Sequence, residues 1–363
     1  MSRTDFRHRQ ARRHRRKLVG LSRHLPTIFA VILILALLGA GIFALTRFVL
    51  KRQPPRPAVA ASSSDAASQP QPSGGLPVSA NPADSLESLL SQAAFLAAGY
   101  DYDKAISLLK EDASAAEEPA VAEAISSYEA AKAALVPADV KNVPHVFFHS
   151  LIMDTAKAFD GDSRTPGYNS VMTTKDEFLK ILDALYNDGY VLVRIHDIAY
   201  ETTDENGNPV FTWGNILLPE GKKPIVMSQD DVCYYSYMKD DGFASRIIIG
   251  NDGKPTCEMT LDDGTVSTGS YDLIPILEDF IKEHPDFSYK GARAIIALTG
   301  YEGILGYRTA ASYSDSPTYE SDREQAAKVA QCLRDNGWEL ASHSWGHLWM
   351  GVSSVPGQTY QIS

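Results

Sequence analysis

Cysteine is scarce in this chain, and its spacing excludes two common classes of protein. The 363 residues include only 3 cysteines, Cys233, Cys257 and Cys332, and none of them form a CxxC pair. Neither a disulfide scaffold nor a zinc site built from cysteines is therefore expected. Basic residues are also outnumbered, since 34 Lys and Arg stand against 45 Asp and Glu, for a net charge of -11. Beyond one basic N-terminal stretch the chain is strongly acidic, which argues against a nucleic-acid partner.

One long apolar run stands near the N-terminus. Residues 26–50 (PTIFAVILILALLGAGIFALTRFVL) are apolar as far as Arg47, and about 20 such residues cross a bilayer as a helix. The run is longer than a usual signal-peptide core, and no small-residue cleavage pattern stands out at its end. The basic tail, residues 1–25, should stay cytoplasmic. The sequence thus predicts a single-pass cell-membrane protein with an extracytoplasmic domain; a cleaved signal peptide is the alternative.

Two further segments precede the main domain. Residues 51–84 are rich in Pro, Ser, Ala and Gly and predict a flexible linker. Residues 85–137 repeat Leu and Ala at helical spacing around a break at Gly99, which resembles one tetratricopeptide-like unit. We expect this unit to act as a spacer or as a docking surface for a protein partner.

From residue 143 onward, strand and helix patterns alternate and predict an α/β domain at 143–363. A capping box, Thr174 with Glu177, marks the start of its first helix. The predicted strands are 145–150, 190–195, 224–228, 292–300 and 338–344, the helices are 174–190, 271–285 and 321–337, and a hairpin is inserted at 245–260. This alternation predicts a parallel sheet whose functional groups lie beyond the carboxyl ends of its strands.

Carboxylates and histidines follow two of those strands. Asp230 and Asp231 come directly after the strand at 224–228, and His343 and His347 follow the strand at 338–344. One carboxylate and two imidazoles form a metal-ligand set with open positions, as hydrolytic zinc sites require. The remaining carboxylate would act as a base. The competing interpretation is a solvated Asp-Asp turn and two unrelated surface histidines.

The segments TKDEFLKILDALYNDGYVLVRIHDI, LPEGKKPIVMSQDD and ASHSWGH, in this order, resemble polysaccharide deacetylases of the NodB-homology type, carbohydrate esterase family 4. The resemblance runs from about residue 145 to residue 347. It implies that Asp230 is the catalytic base and that Asp231, His343 and His347 bind a divalent metal, with zinc the expected ion. It also implies hydrolysis of N-acetyl groups on cell-envelope polysaccharide such as peptidoglycan, which contains N-acetylglucosamine.

The chain departs from the family pattern at two places. Val232 stands where the family often has glycine, and the later family motifs, which supply an arginine that orients the base and a histidine that acts as general acid, are missing. About five parallel strands are found where a (β/α) barrel needs seven or eight. The expected fold class is therefore α/β, a partial (β/α) barrel incomplete at its C-terminus, preceded by a transmembrane helix and a small helical segment.

Two other functions and several weaker candidate residues remain open at this point. The functions are a catalytically inactive glycan-binding or interaction protein and an O-acetyl esterase that uses the same metal. For the weaker candidates, packing or structural hydrogen bonding competes with a role in the site. They are His149, His196, Arg308, Cys233, Tyr234, Tyr235 and Tyr237.

Overall fold

A computed structural model describes residues 82–111 and 117–362. The α-helices in these ranges are α1 Pro82–Ala98, α2 Tyr102–Glu111, α3 Pro119–Ala133, α4 Thr155–Ala158, α5 Thr165–Val171, α6 Lys175–Asn187, α7 Ile195–Ile198, α8 Leu273–Glu283, α9 Tyr319–Asp335 and α10 Val355–Ile362. The strands are β1 Val136–Pro137, β2 His145–Phe148, β3 Tyr190–Leu192, β4 Ala199–Thr203, β5 Pro209–Trp213, β6 Leu217–Leu218, β7 Lys223–Gln229, β8 Arg246–Ile249, β9 Pro255–Thr260, β10 Val266–Gly269, β11 Ile295–Leu298 and β12 Glu339–Ser342. Short 3-10 turns occupy Ser236–Met238, Pro285–Phe287, Tyr289–Gly291, Ala311–Tyr313 and Met350–Val352.

A parallel sheet of five strands forms the centre of the fold. Its order is β12-β11-β7-β2, and β3 pairs with the first half of β7. Every residue of β7 after Lys223 is buried, as expected for a central strand covered on both faces. Met227 packs into one hydrophobic cluster and Val226 into another, because successive side chains of a strand point to opposite faces.

Three helices cover the Met227 side of the sheet with residues spaced three or four apart. They contribute Phe178 and Leu182 from α6, Leu273, Ile276, Leu277, Phe280 and Ile281 from α8, and Ala326, Val329 and Leu333 from α9. The predicted capping box of α6 is confirmed, because Thr174 and Glu177 exchange side-chain and backbone hydrogen bonds. The central sheet and these three helices therefore form as their sequence patterns indicate.

The predicted fold class, a partial (β/α) barrel, is wrong in its architecture. Besides the parallel sheet, the described residues contain antiparallel pairs: the β8–β9–β10 sheet, the β4–β5 hairpin and the short β1–β6 pair. The domain is thus mixed α/β with parallel and antiparallel strands. Of the antiparallel pairs, the patterning at 245–260 predicted only the β8–β9 hairpin, and the chain adds β10 to it.

Helices α1 to α3 form a helical segment with its own small core. Ala93, Ala97, Ala105, Leu109 and Val121 are buried in it. The turn after α1 contacts the rest of the fold, because the hydroxyl of Tyr100 donates to the carbonyl of Asp286 and the Lys290 N–H donates to the Gly99 carbonyl, at 2.9 and 2.7 Å. The helices predicted between residues 85 and 137 are therefore present.

The membrane prediction is corrected. The helix predicted at 26–50 lies outside the described residues, together with the basic tail 1–25 and all of the predicted linker 51–84 except the start of α1. No helix in the described ranges is long and apolar enough to cross a bilayer. The transmembrane helix in the predicted fold class and the single-pass localisation with an extracytoplasmic domain are accordingly withdrawn.

Candidate metal centre

The chain turns sharply where β7 ends, and this turn separates the two adjacent carboxylates. The Asp230 N–H donates to the carbonyl of Phe148 on β2 at 2.7 Å. Asp231 has a left-handed backbone, with φ 57°, and its carbonyl accepts from the Cys233 N–H at 2.7 Å. Val232 is fully buried in the same hydrophobic cluster as Met227, and this burial anchors the turn. A left-handed non-glycine residue costs on the order of 1 kcal/mol or more and is typical of functional sites.

A second turn after β12 carries the two histidines. The His343 N–H donates to the carbonyl of Leu298 on β11 at 2.8 Å. Ser344 and His347 are both left-handed, with φ 64° and 54°, and the His347 N–H donates to Ser344 Oγ at 3.1 Å. The loop thereby folds back, and the two imidazole centroids lie 4.7 Å apart.

The last described helix supports this histidine turn. The Trp345 N–H donates to the carbonyl of Gln361 at 2.8 Å, and the Gly346 N–H donates to the side-chain oxygen of Gln361 at 2.6 Å. Gln361 is itself buried, with 4% of its surface exposed. On the other side, the Gly300 N–H donates to the Trp345 carbonyl at 2.9 Å. The turn is therefore held between β11 and α10.

Asp231, His343 and His347 form a cluster with the donor set of a metal site. Their ligand atoms all lie within 4.8 Å of one another. His343 Nε2 is 4.0 Å from Asp231 Oδ1, and His347 Nε2 is 3.9 Å from Asp231 Oδ2. Two ligands on a tetrahedral ion with bonds near 2.1 Å lie roughly 3.4 Å apart. The two carboxylate–imidazole distances exceed this value by about half an ångström, so a divalent ion would draw the three side chains closer together, and three protein ligands leave a position open.

Asp230 directly precedes Asp231 in the chain and makes a different set of contacts. Its Oδ1 accepts from the hydroxyl of Ser228 at 3.0 Å. The ring of His145 on β2 lies 2.9 Å from the same hydroxyl through Nε2. Since the Ser228 proton points to Asp230, the His145 Nε2–H donates to Ser228. Asp230 is therefore oriented by a short hydrogen-bonded chain that starts on β2.

Tyr235 connects the triad to a buried threonine. Its hydroxyl donates to Asp231 Oδ1 at 3.3 Å and contacts Thr299 Oγ1. Burial raises the pKa of Tyr235 well above its usual range, and the nearby Asp231 carboxylate raises it further. The phenol therefore keeps its proton at neutral pH and remains a donor to the carboxylate.

The weaker candidate residues do not belong to the triad. Nδ1 of His149 lies 3.1 Å from the carbonyl of Val171. His196 contacts Glu339, the first residue of β12, at the opposite end of that strand from His343. Arg308 donates to the backbone carbonyls of Cys233 and Tyr234 at 3.3 and 2.6 Å, which braces the β7 turn. Burial raises the pKa of Cys233 to about 12.

A fully buried carboxylate lies beneath the β7 turn. Oδ1 of Asp272, the N-cap of α8, accepts from the N–H groups of Leu151 and Leu273 at 2.9 and 2.7 Å. Its Oδ2 accepts from Gln229 Nε2 and from the Tyr234 hydroxyl at 2.8 and 2.5 Å. Desolvation by burial raises the pKa of Asp272, although all of these hydrogen bonds oppose the shift. Asp272 thus ties β2, β7 and the β7 turn to one helix.

Sequence reasoning assigned no role to Ser228, His145, Thr299 or Asp272. A signal for two of them is visible in the sequence, because His145 begins an otherwise apolar strand and Ser228 directly follows the apolar run 224–227. Thr299 and Asp272 are separated from Asp231 in the chain by tens of residues, and nothing local to either marks it as a neighbour of the β7 turn.

Comparison with protein-family models, with curated proteins and with solved structures gives no match.

Proposed function

We propose that this chain is a metal-dependent deacetylase that hydrolyses N-acetyl groups of a polysaccharide containing N-acetylglucosamine, with zinc as its metal. The observation that carries the proposal is the cluster of Asp231, His343 and His347 with a separate, oriented carboxylate, Asp230, next to it. Metal hydrolases need both parts, because the ligands leave a position open while a further group handles the proton. The similarity of the SQDD and HSWGH motifs to family 4 deacetylases supports the same reading.

Each residue then has a distinct role. Asp231, His343 and His347 would hold the ion, which when bound supplies Lewis acidity toward an amide carbonyl and lowers the pKa of water. Asp230 accepts the proton from the attacking water, and Ser228 keeps that carboxylate oriented through the hydrogen bond to Oδ1. Tyr235 fixes the orientation of the Asp231 carboxylate.

Acetate release tests the proposal. The full chain, stripped of metal with chelator and then reloaded with zinc, should release acetate from N-acetylglucosamine oligomers, and the stripped protein should not. Asp230→Asn provides the matched inactive protein. Equal acetate release with and without metal, or none in any state, would contradict a metal-dependent N-deacetylase. Release only from O-acetylated sugars would identify an esterase instead.

A further inference from the structure

A row of aromatic rings begins at the candidate metal centre. The Tyr235 ring is sandwiched between Tyr237 and Tyr301, with centroids 5.5 and 5.0 Å apart and interplanar angles of 12° and 19°. Trp345 meets Tyr301 at 6.3 Å and an angle of 66°, and Tyr360 meets Trp345 at 5.5 Å and 64°. Five rings from three separate loops and α10 thus form one continuous row.

This row is joined to the triad at two points. Tyr235 donates its hydroxyl to Asp231 Oδ1, and Trp345 lies between His343 and His347 in the histidine turn. A molecule whose reacting group reaches the metal ligands would therefore lie against these rings.

The outer rings of the row face solvent. Tyr237 is 42% exposed, Trp345 43% and Tyr360 63%, whereas Tyr235 in the middle is only 6% exposed. Only the hydroxyl of Tyr235 is needed for its hydrogen bond to Asp231. That hydrogen bond therefore does not explain why the other aromatic rings of the row are exposed. Exposed aromatic rings next to a polar cluster are a mark of a ligand-binding site.

The electrostatic surroundings limit what can bind there. Burial raises the pKa of Tyr237, and it raises the pKa of Tyr301 to about 12, so both phenols are neutral. Asp231 and Glu302 act on both rings, but Arg164 also acts on Tyr237, and Glu302 is paired with Arg308 at 3.7 Å. In the metal-free chain the Asp231 carboxylate faces only the two histidines, so it would repel an anionic ligand beside it but not a neutral one.

We propose that Tyr237, Tyr301 and Trp345 form a stacking surface for the pyranose rings of a neutral glycan. The π face of an aromatic ring is negative, and it attracts the weakly positive C–H face of a sugar ring. Neutral N-acetylated pyranoses present such faces, whereas uronate-rich glycans add the charge that the site disfavours. The inference rests on the proposed function for the choice of glycan, but it concerns binding, which does not require the metal.

The test is binding of N-acetylglucosamine hexamer to the full chain after metal removal, measured by calorimetry. Tyr237→Ala and Trp345→Ala should each weaken binding by about three-fold to ten-fold, since an aromatic contact contributes about 0.5–1.5 kcal/mol. Tyr237→Phe should bind like the unaltered chain, because stacking needs the ring and not the hydroxyl. The matched controls are Tyr200→Ala and Trp213→Ala, which remove aromatic residues of similar exposure, 45% and 56%, from the β4–β5 hairpin.

The outcomes separate this inference from the proposed function. Hexamer binding that depends on Tyr237 and Trp345, without acetate release, would support the stacking surface and contradict the deacetylase. Acetate release by the zinc-loaded chain, together with unchanged hexamer affinity in both alanine variants, would support the deacetylase and contradict the stacking surface. Equal losses in the hairpin controls, or tighter binding of an oligouronate than of the hexamer, would overturn the stacking surface. So would the absence of any hexamer binding by the unaltered chain.

Discussion

Tyr235 donates a hydrogen bond to Oδ1 of Asp231 across 3.3 Å, the oxygen that also faces His343 Nε2 at 4.0 Å. The Asp231 carboxylate is thus held from a direction other than that of the histidines. Partners of this kind orient metal ligands, and their loss commonly costs about 10–100-fold in metal affinity.

Tyr235→Phe should therefore weaken zinc binding by about 10–100-fold while leaving the aromatic row intact, because only the hydroxyl is removed. Competition with a chromophoric chelator measures the affinity. Tyr237→Phe, on the neighbouring ring of the row, is the control and should bind zinc like the unaltered chain. Equal affinities in the two variants would show that the hydrogen bond to Asp231 does not matter.

Removal of a metal ligand should have a larger effect. His343→Ala, His347→Ala and Asp231→Asn should each lower bound zinc by about ten-fold or more in folded protein, because each Ala deletes a ligand and the Asn replaces a carboxylate with a neutral, weaker amide oxygen. Elemental analysis after dialysis gives the zinc content. His196→Ala is the matched control, since His196 is an exposed histidine at the other end of β12. Full zinc content in all three ligand variants would rule the site out.

The two adjacent aspartates should separate by role. Asp230→Asn keeps the size of the side chain and its hydrogen bond from Ser228 but cannot take up a proton, so zinc should stay bound while turnover falls by about 10²–10⁴. Asp231→Asn should lose zinc and turnover together. Zinc content and acetate release are measured on the same samples. Reversed results would mean that the assignments carried over from the family motif are exchanged.

Two buried serines provide a paired test of the support for Asp230. Ser228→Ala removes the donor to Asp230 Oδ1, so kcat should fall about ten-fold with zinc content unchanged, a loss near 1.4 kcal/mol that is typical of a hydrogen bond to a charged group. Ser150 is equally buried, but its hydroxyl has no hydrogen-bond partner in the described part of the chain. Ser150→Ala should leave kcat unchanged and stability the same or slightly higher. Equal effects of the two substitutions would argue against a specific role for Ser228.

The buried carboxylate beneath the site predicts a pH-dependent stability. Burial raises the pKa of Asp272 above the ordinary value near 4, so the folded protein holds a proton that the unfolded chain releases. The stability from this proton is fully present below about pH 4 and is lost as pH rises through the raised pKa. Asp272→Asn does not titrate, so its stability lacks this dependence on pH. The Tm of the variant minus that of the unaltered chain should therefore increase from pH 4 to pH 7, and a constant difference would contradict the raised pKa.

The sequence indicates the centre of the fold and the residues of the cluster. The five parallel strands and helices α6, α8 and α9 form where the spacing of apolar residues in the sequence predicts a strand or a helix. Because parallel strands end at one edge, Asp231, His343 and His347 meet there although more than a hundred residues separate the aspartate from the histidines.

Other features could not be predicted in the same way. The β4–β5 hairpin is marked in the sequence by the turn dipeptide Asn206-Gly207, whereas the expected barrel rests on the family resemblance alone. The contact of Tyr235 with Asp231 depends on the left-handed backbone at Asp231 and Tyr234, which no local pattern specifies for residues other than glycine. Such contacts form only because the strands and the hydrophobic core hold the turn in this conformation.

The hydrogen bonds from the histidine turn to Gln361 have a thermodynamic consequence. Helix α10 and the histidine turn are joined by these hydrogen bonds. Undocking of the helix would therefore release the turn that brings His347 toward His343. A ligand shared by the two histidines favours the docked form by mass action, and this stabilisation grows with the logarithm of the ratio of its concentration to its dissociation constant. Ligand binding at the two histidines and docking of α10 are therefore thermodynamically coupled, although α10 contributes no ligand.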